Sequence, residues 1–544
     1  MAEAEQYEDM PLSEAIEFKR LIVCCDGTGQ SSTGDGEESI PTNVTRFARA
    51  LESSHRWKDE NNVVKEIPQI VLYQTGVGTG GITRISDGLA GAFGWGVDLH
   101  VLEAYTFFSN NYETDDQLFL FGFSRGAFTA RAIASLVCNI GLLKKEHLRY
   151  LPMIYKRYKE RRASKESRDE FDSWFEQTKG LLGIEVHSKI AIHHLGLWDT
   201  VGSLGVPKTW ISQALSKVGI SFNLNKEYEY HDTSFPIPSS DWKGFIVAAS
   251  QALSIDETRL SFSPTLLYAP VQPATELAFG HGTGFSQVWF PGVHTDIGGG
   301  YSRSYQDISD ITFAWMVDRC KGSLKFRPTR NLHEELRQPS LPILDPVYEA
   351  DKVLPDPPVC KGWGQSVLHD EARSLKFRAG GTAARTPGQY FLDKTHEVLG
   401  TGFETREEVH VSVRMRMMQD PTWRPAALAG FKLTKQEDGR YYWYKIVKQR
   451  GKEPREVALP EWGVENGNDD LGGCLLEPEE VARLGNEEHI FNIEVIPEEG
   501  FKWVSLFPWN WGTGTWLAAS SLSLVGVLLL VESPAIKSAI EELF

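Results

Sequence analysis

A serine between two glycines, Gly122-Phe123-Ser124-Arg125-Gly126, is where residue types and spacing first point to chemistry. A hydroxyl becomes a useful nucleophile when a base stands within hydrogen-bond reach and an acid orients that base. The G-x-S-x-G spacing is that of a nucleophile elbow, in which the serine tops a tight turn from strand to helix. The apolar run QLFLFGF leads into it and the small-residue helical run RGAFTARAIASLV leaves it. Gly122 and Gly126 answer a steric need, because a Cβ at either position would clash where the two backbones converge. The helix N-terminus beneath Ser124 favours negative charge forming above it.

The acid and then the base should follow in chain order. AIHHLGLWDTVG sets Asp199 just past an apolar strand, and QVWFPGVHTDIGGGY sets His294 at the end of another, ahead of a glycine run. Both fall at strand ends, the edge where open α/β sheets hold their sites. Asp256, in ALSIDETRL, and Asp296 compete with Asp199 for the acid, although Asp296 stands close enough to His294 to fix the local loop instead. The oxyanion of acyl transfer needs N–H donors, each contributing roughly 3 kcal/mol in the transition state. One is the backbone N–H of Arg125, and Gly27 or Thr28 in LIVCCDGTGQ offers the other, with Asp26 bracing that loop. The chemistry these residues predict is hydrolysis of an acyl ester through Ser124. It requires no metal and no organic cofactor. Neither Cys24–Cys25 nor His193–His194 has metal-ligand spacing. The runs TGVGTGG and DIGGGY lack the endings of nucleotide-binding loops, so no nucleotide is expected.

Elements of the right kind surround these positions. Apolar strand-length runs at Arg20–Cys25, Ile70–Gln74, Gln117–Phe123, Lys189–Trp198 and Gln287–Val293 alternate with helical runs at Asn43–Leu51, Trp95–Ser109 and Ala127–Ile140. Strands apolar almost throughout belong in a parallel sheet covered on both faces. The rhythm predicts an α/β, doubly wound, mostly parallel sheet, which the nucleophile elbow makes hydrolase-like, with helical cap insertions. Lys144–Lys179, dense in Lys, Arg and Glu, reads as the solvated helical face of a cap, and Thr209–Lys243 as a further insertion. The expected division is an N-terminal tail (1–18), a catalytic domain (19–335), a linker and smaller accessory domain (336–500) and an apolar C-terminal segment (501–544). That last segment has four tryptophans at its front, the fourth opening the apolar run Trp516–Val531, and fits either a membrane contact or a buried helix.

Composition narrows the partners. The formal net charge of −17 repels phosphate backbones, so no nucleic acid is expected and any membrane contact should be apolar or local. Six cysteines in 544 residues are no disulfide scaffold. The opening MAEAEQYEDMPLSEAIEF lacks the basic and apolar regions of a secretory signal, which predicts an intracellular or membrane-associated catalytic part.

CCDGTGQ, PTNV, GFSRGAFTAR, GLWDTVGSLG and FPGVHTDIGGGY, in that order between Lys19 and Tyr301, resemble the motifs of a largely uncharacterised α/β-hydrolase family that includes phospholipase effectors of bacterial type VI secretion. GTAARTPGQY and VHVSVRMRM resemble that family's downstream region, while Gly29 stands where the family commonly has tryptophan. The resemblance implies an α/β-hydrolase fold, a triad of Ser124, Asp199 and His294, and phospholipase A activity on membrane glycerophospholipids. A soluble esterase or thioesterase, and a silent membrane-associated scaffold, are the alternatives.

Overall fold

The computed structural model describes residues 18–27, 41–58, 64–76, 92–161, 165–202, 243–270, 284–301, 307–327, 367–370, 381–390, 403–436, 440–448 and 454–463. Nearly all of the Thr209–Lys243 insertion, the proline-rich connector and the segment from Trp503 onward lie outside these residues. In chain order the strands of the main sheet are β1 (Arg20–Cys25), β2 (Ser54–Lys58), β3 (Val64–Gln74), β4 (Gln117–Phe123), β5 (Ile190–Trp198) and β6 (Gly244–Ile246). They continue with β7 (Ala249–Ser254), β8 (Phe285–Phe290), β9 (Glu407–His410), β10 (Lys432–Lys435), β11 (Tyr441–Val447) and β12 (Arg455–Trp462). Helices are α1 (Asn43–Ala50), α2 (Ala92–Asn111), α3 (Arg125–Ile140), α4 (Leu151–Lys159), α5 (Lys165–Leu182), α6 (His294–Gly298), α7 (Asp307–Cys320) and α8 (Val411–Gln419).

β1 shows why the sheet must be covered on both sides. All six of its residues are buried and they alternate between two cores. Leu21, Val23 and Cys25 pack with Leu118, Leu120, Val101 and Ile133 under α2 and α3. Ile22 and Cys24 pack with Phe47, Phe121, Trp198 and Trp315 under α1 and α7. A strand apolar on both faces is stable only between two helical layers. The sheet order is β2-β3-β1-β4-β5-β7-β8-β9-β12-β11-β10, with β6 alongside β5. Every pairing from β3 through to β12 is parallel, and the outermost pairings at both ends are antiparallel. This is the α/β-hydrolase-like architecture the sequence predicts.

Register carries this order to the site. Cys25 pairs with Gly122, Phe123 with Trp198, Trp198 with Ala252, and Ser254 with Phe290. Neighbouring strands therefore end level, and the residues just beyond them (Asp26, Ser124, Asp199 and the turn after Phe290) share one carboxyl edge.

Two expected segments take unexpected places. The described strands of 380–498, expected as a smaller accessory domain, extend the same sheet: β9 pairs with β8, and β12 with β9. Leu253, Ile255 and Trp289 share one apolar core with Val409, Trp443 and Leu459. The helices expected as a cap, α4 and α5, have a charged outer face on which Arg157 meets Glu160 and Glu170. The inner face of α4 rests on the half of α3 away from Ser124, where the Tyr158 hydroxyl is 2.7 Å from Ser135 Oγ, and just past α4 Arg161 donates to Asn139. No helix among the described residues is long and apolar enough to cross a membrane.

Candidate active site

The turn from β4 into α3 is as tight as its glycines require. A Cβ built on Gly122 would lie 2.5 Å from the Gly126 carbonyl oxygen, and one on Gly126 would lie 2.2 Å from that of Cys25. Ser124 adopts φ 58° and Asp199 φ 43°. Left-handed backbone at a non-glycine residue costs of order 1–3 kcal/mol and persists only where its surroundings over-determine it. Here the Ser124 N–H donates to the Trp198 carbonyl at 3.0 Å, and the Asp199 N–H to that of Ala252 at 2.8 Å.

Three distant stretches meet at this edge. Ser124 Oγ lies 2.8 Å from His294 Nε2, and His294 Nδ1 lies 2.6 Å from Asp199 Oδ2. All three side chains are buried. The imidazole is held between two rings, Phe123 at 4.7 Å and Phe262 at 4.9 Å between centroids. Carboxylates gather the backbone leading to it. Gly292 N–H donates to Asp256 at 2.7 Å, Val293 N–H to Asp296 at 2.9 Å, and His294 N–H to Glu257 at 3.3 Å. Glu257 is itself gripped by the Arg259 guanidinium. The two rivals for the acid thus hold the loop that carries the base. Asp256 also accepts from Trp423, and Asp296 meets His369 Nδ1 at 2.6 Å.

Arg385, to which the sequence reading assigns no role, completes the surroundings of Asp199. Its Nη1 donates to Asp199 Oδ1 at 2.5 Å and its Nη2 to Oδ2 at 2.9 Å, while the Ser254 N–H donates to Oδ1 at 2.9 Å. Burial by itself would push the Asp199 carboxyl up. The Arg385 charge and the hydrogen bonds from His294 and Arg385 outweigh it and hold the group well below the usual carboxylate range. The arginine stands in the run GTAARTPGQY, where nothing local reveals a partner so far away in the chain.

The oxyanion donors divide. Arg125 is the first residue of α3, at the end where helix N–H groups point outward. The Gly27 N–H does not serve as expected, since it donates to Asp26 Oδ1 at 2.6 Å. Gly27 instead allows close approach, because a Cβ there would come 3.0 Å from the Phe123 ring. Thr28 lies outside the described residues. Asp26 braces the loop as expected, accepting from Thr42, Thr45 and Tyr73 as well. Chemically, the arrangement can move a proton from a serine hydroxyl to an imidazole backed by an ionised carboxylate.

Known proteins bear on this geometry. An uncharacterized protein of Saccharomyces cerevisiae is 23% identical, over 58% of this chain and 59% of its own length. A crystal structure of an uncharacterized protein from Pseudomonas aeruginosa aligns over 58% of this chain and 48% of its own, with 16% identity and a TM-score of 0.33. The Tle1 effector, in a structure bound to the VgrG spike of the type VI secretion system, aligns over 55% of both chains with 18% identity and a TM-score of 0.27. The chain thus spans roughly half to three-fifths of the length of these relatives, and alignments this weak carry no argument about function. A family model described as "T6SS, Phospholipase effector Tle1-like, catalytic domain" matches residues 19–319, more than half the chain, and supports a lipase or esterase function. By that match, with the sheet and motif order agreeing, the chain belongs to the Tle1-like phospholipase effector family.

Proposed function

We propose that this protein is a serine hydrolase of carboxylic esters, acting on the acyl chains of glycerophospholipids as a phospholipase A. The observation that carries the reading is the hydrogen-bonded chain Ser124 Oγ, His294 Nε2, His294 Nδ1, Asp199 Oδ2. His294 takes the proton as Ser124 Oγ attacks the acyl carbon, and Asp199 stabilises the imidazolium that forms. The oxyanion develops over the α3 N-terminus, within reach of the Arg125 N–H. Collapse expels the alcohol, which receives the proton from His294 and leaves an acyl-Ser124. Water activated by His294 then releases the carboxylic acid and restores the serine. The family's description supports a phospholipid as the ester, and the apolar segment from Trp503 would keep the site near a bilayer.

Ser124→Ala should lower hydrolysis of p-nitrophenyl esters and of phosphatidylcholine vesicles by at least about 10⁴-fold and abolish labelling by a fluorophosphonate. Retained turnover ends the assignment. Released products identified by mass spectrometry from mixed vesicles separate a phospholipase from an esterase that ignores lipid. Deleting residues 503–544 should lower recovery of the chain with membranes, and unchanged recovery removes that segment from the proposal.

A further inference from the structure

The acid of the triad has a companion that the reaction does not by itself require. The Arg385 fork engages both oxygens of Asp199 and also donates to the carbonyls of Ser254 at 2.9 Å and Phe262 at 2.7 Å. It is buried, at 4% exposure, so its charge acts on Asp199 with little screening by water. The stretch carrying it is tied to the loop that frames the base. Gly381 accepts from Leu260 N–H, Ala383 N–H donates to Thr258, and Thr382 bridges Arg259. That loop provides Glu257, which accepts from His294 N–H, and Phe262, whose ring lies against the imidazole. Residues 381–390 lie beyond the region matched by the family model, which ends at 319.

We propose that Arg385 is a positioning residue for the reaction: sharing the Asp199 carboxylate with His294, its fixed charge offsets part of the carboxylate's pull on the imidazolium and sets how acidic the medium can become before His294 ceases to act as a base. The proposal rests on the triad reading given above. In a buried triad the carboxylate favours the protonated imidazole, and a cation bound to the same carboxylate opposes that preference. Removing that cation should therefore strengthen the carboxylate's hold on the imidazolium. Among the described residues, the other ionisable groups around His294 have hydrogen-bond partners of their own, and Arg416 also acts on Asp256. Glu257 is paired with Arg259, and Asp296, on the same helix as the base, with His369. Asp256 is held by Gly292 and Trp423. Tyr390 and Glu257 stand near the guanidinium, but Asp199 is the group that grips it. The arginine makes the downstream stretch part of the catalytic machinery.

The test is the pH dependence of kcat/KM on a p-nitrophenyl ester, measured with the full chain. Arg385→Gln is expected to move the acid limb up by about one pH unit as well as lowering the plateau. Arg385→Lys, which keeps a charge but loses the fork, is expected to lower the plateau with the limb nearly in place. A Gln variant whose plateau falls while its limb stays where the wild type has it overturns the proposal, because a merely structural arginine would do that. If the Gln variant does not fold, the comparison moves to an Asp199→Asn background, where no carboxylate is left unpaired. There Arg385→Gln should raise the limb of the residual activity above that of Asp199→Asn alone, and equal limbs overturn the proposal. Ser124→Ala, assayed beside them, separates the two claims. If it is inactive while the limbs stay fixed, the arginine's role alone fails. If it is active, both fail.

Discussion

Asp26 and Asp199 flank the strand of the nucleophile, one just past β1 and the other just past β5, with β4 between them. Both are buried, at 3% and 0% exposure, and both are saturated with hydrogen bonds. Their partners differ in kind. Among the described residues Asp26 accepts only from neutral groups (the hydroxyls of Thr42, Thr45 and Tyr73 and the Gly27 N–H), and burial prevails, raising its pKa. At Asp199 burial acts in the same direction, but a guanidinium and an imidazole overrule it. Strand-end position and burial do not make a carboxylate a catalytic acid. What sets these two apart is the charge of what each one touches. Asp26 fastens a loop, whereas Asp199 is kept ionised beside a base.

The contrast is open to attack on both sides. Asp199→Asn should cost about 10³–10⁴-fold in kcat/KM, because the amide cannot stabilise the imidazolium. A loss under tenfold would put Asp199 in the same class as Asp26.

Asp256 sharpens the comparison through pH. Burial pushes its carboxyl up to about 6, whereas an unfolded carboxyl titrates near 4. Between those values the folded chain holds a proton that the unfolded chain has released, so this group's contribution to stability declines as pH rises through that window. Denaturant melts should show wild type losing up to about 3 kcal/mol relative to Asp256→Asn between pH 4 and pH 7. A difference independent of pH would show that the buried carboxyl does not behave as its surroundings dictate.

The smallest effect is expected at Asp26. In Asp26→Asn the surrounding hydroxyls can turn to accept from the new amide, so stability should fall by only about 1–2 kcal/mol and turnover by a few fold. A fall in turnover approaching that of Asp199→Asn would dissolve the distinction between the two carboxylates.

Much of the site is visible in the linear chain because its parts are local. QLFLFGFSRG contains a strand, a turn and a helix start, and the reasons for Gly122 and Gly126 are steric and near at hand. Other parts escape for equally physical reasons. TREEVHVSVRMRM mixes two periods because β9 ends at His410 and α8 begins at Val411, the His410 side chain accepting from Ser412 N–H at the junction. Glu407 disguises the strand further. It is a buried carboxylate that accepts from Thr405 nearby but also from Trp289 and Gly388, which lie elsewhere in the chain.

Residue type and spacing alone determined the alternating sheet and the elbow, and singled out Ser124, His294 and three candidate acids, Asp199, Asp256 and Asp296, since each rests on periodicity or on contacts a few residues long. Only the tertiary structure decided that Asp256 and Asp296 hold the loop before the base, that the Gly27 N–H is committed to Asp26, that strands beyond residue 403 join the same sheet, and that Arg385 grips Asp199. Each of these depends on which charges and donors become neighbours once water is excluded, and chain separation carries no information about that.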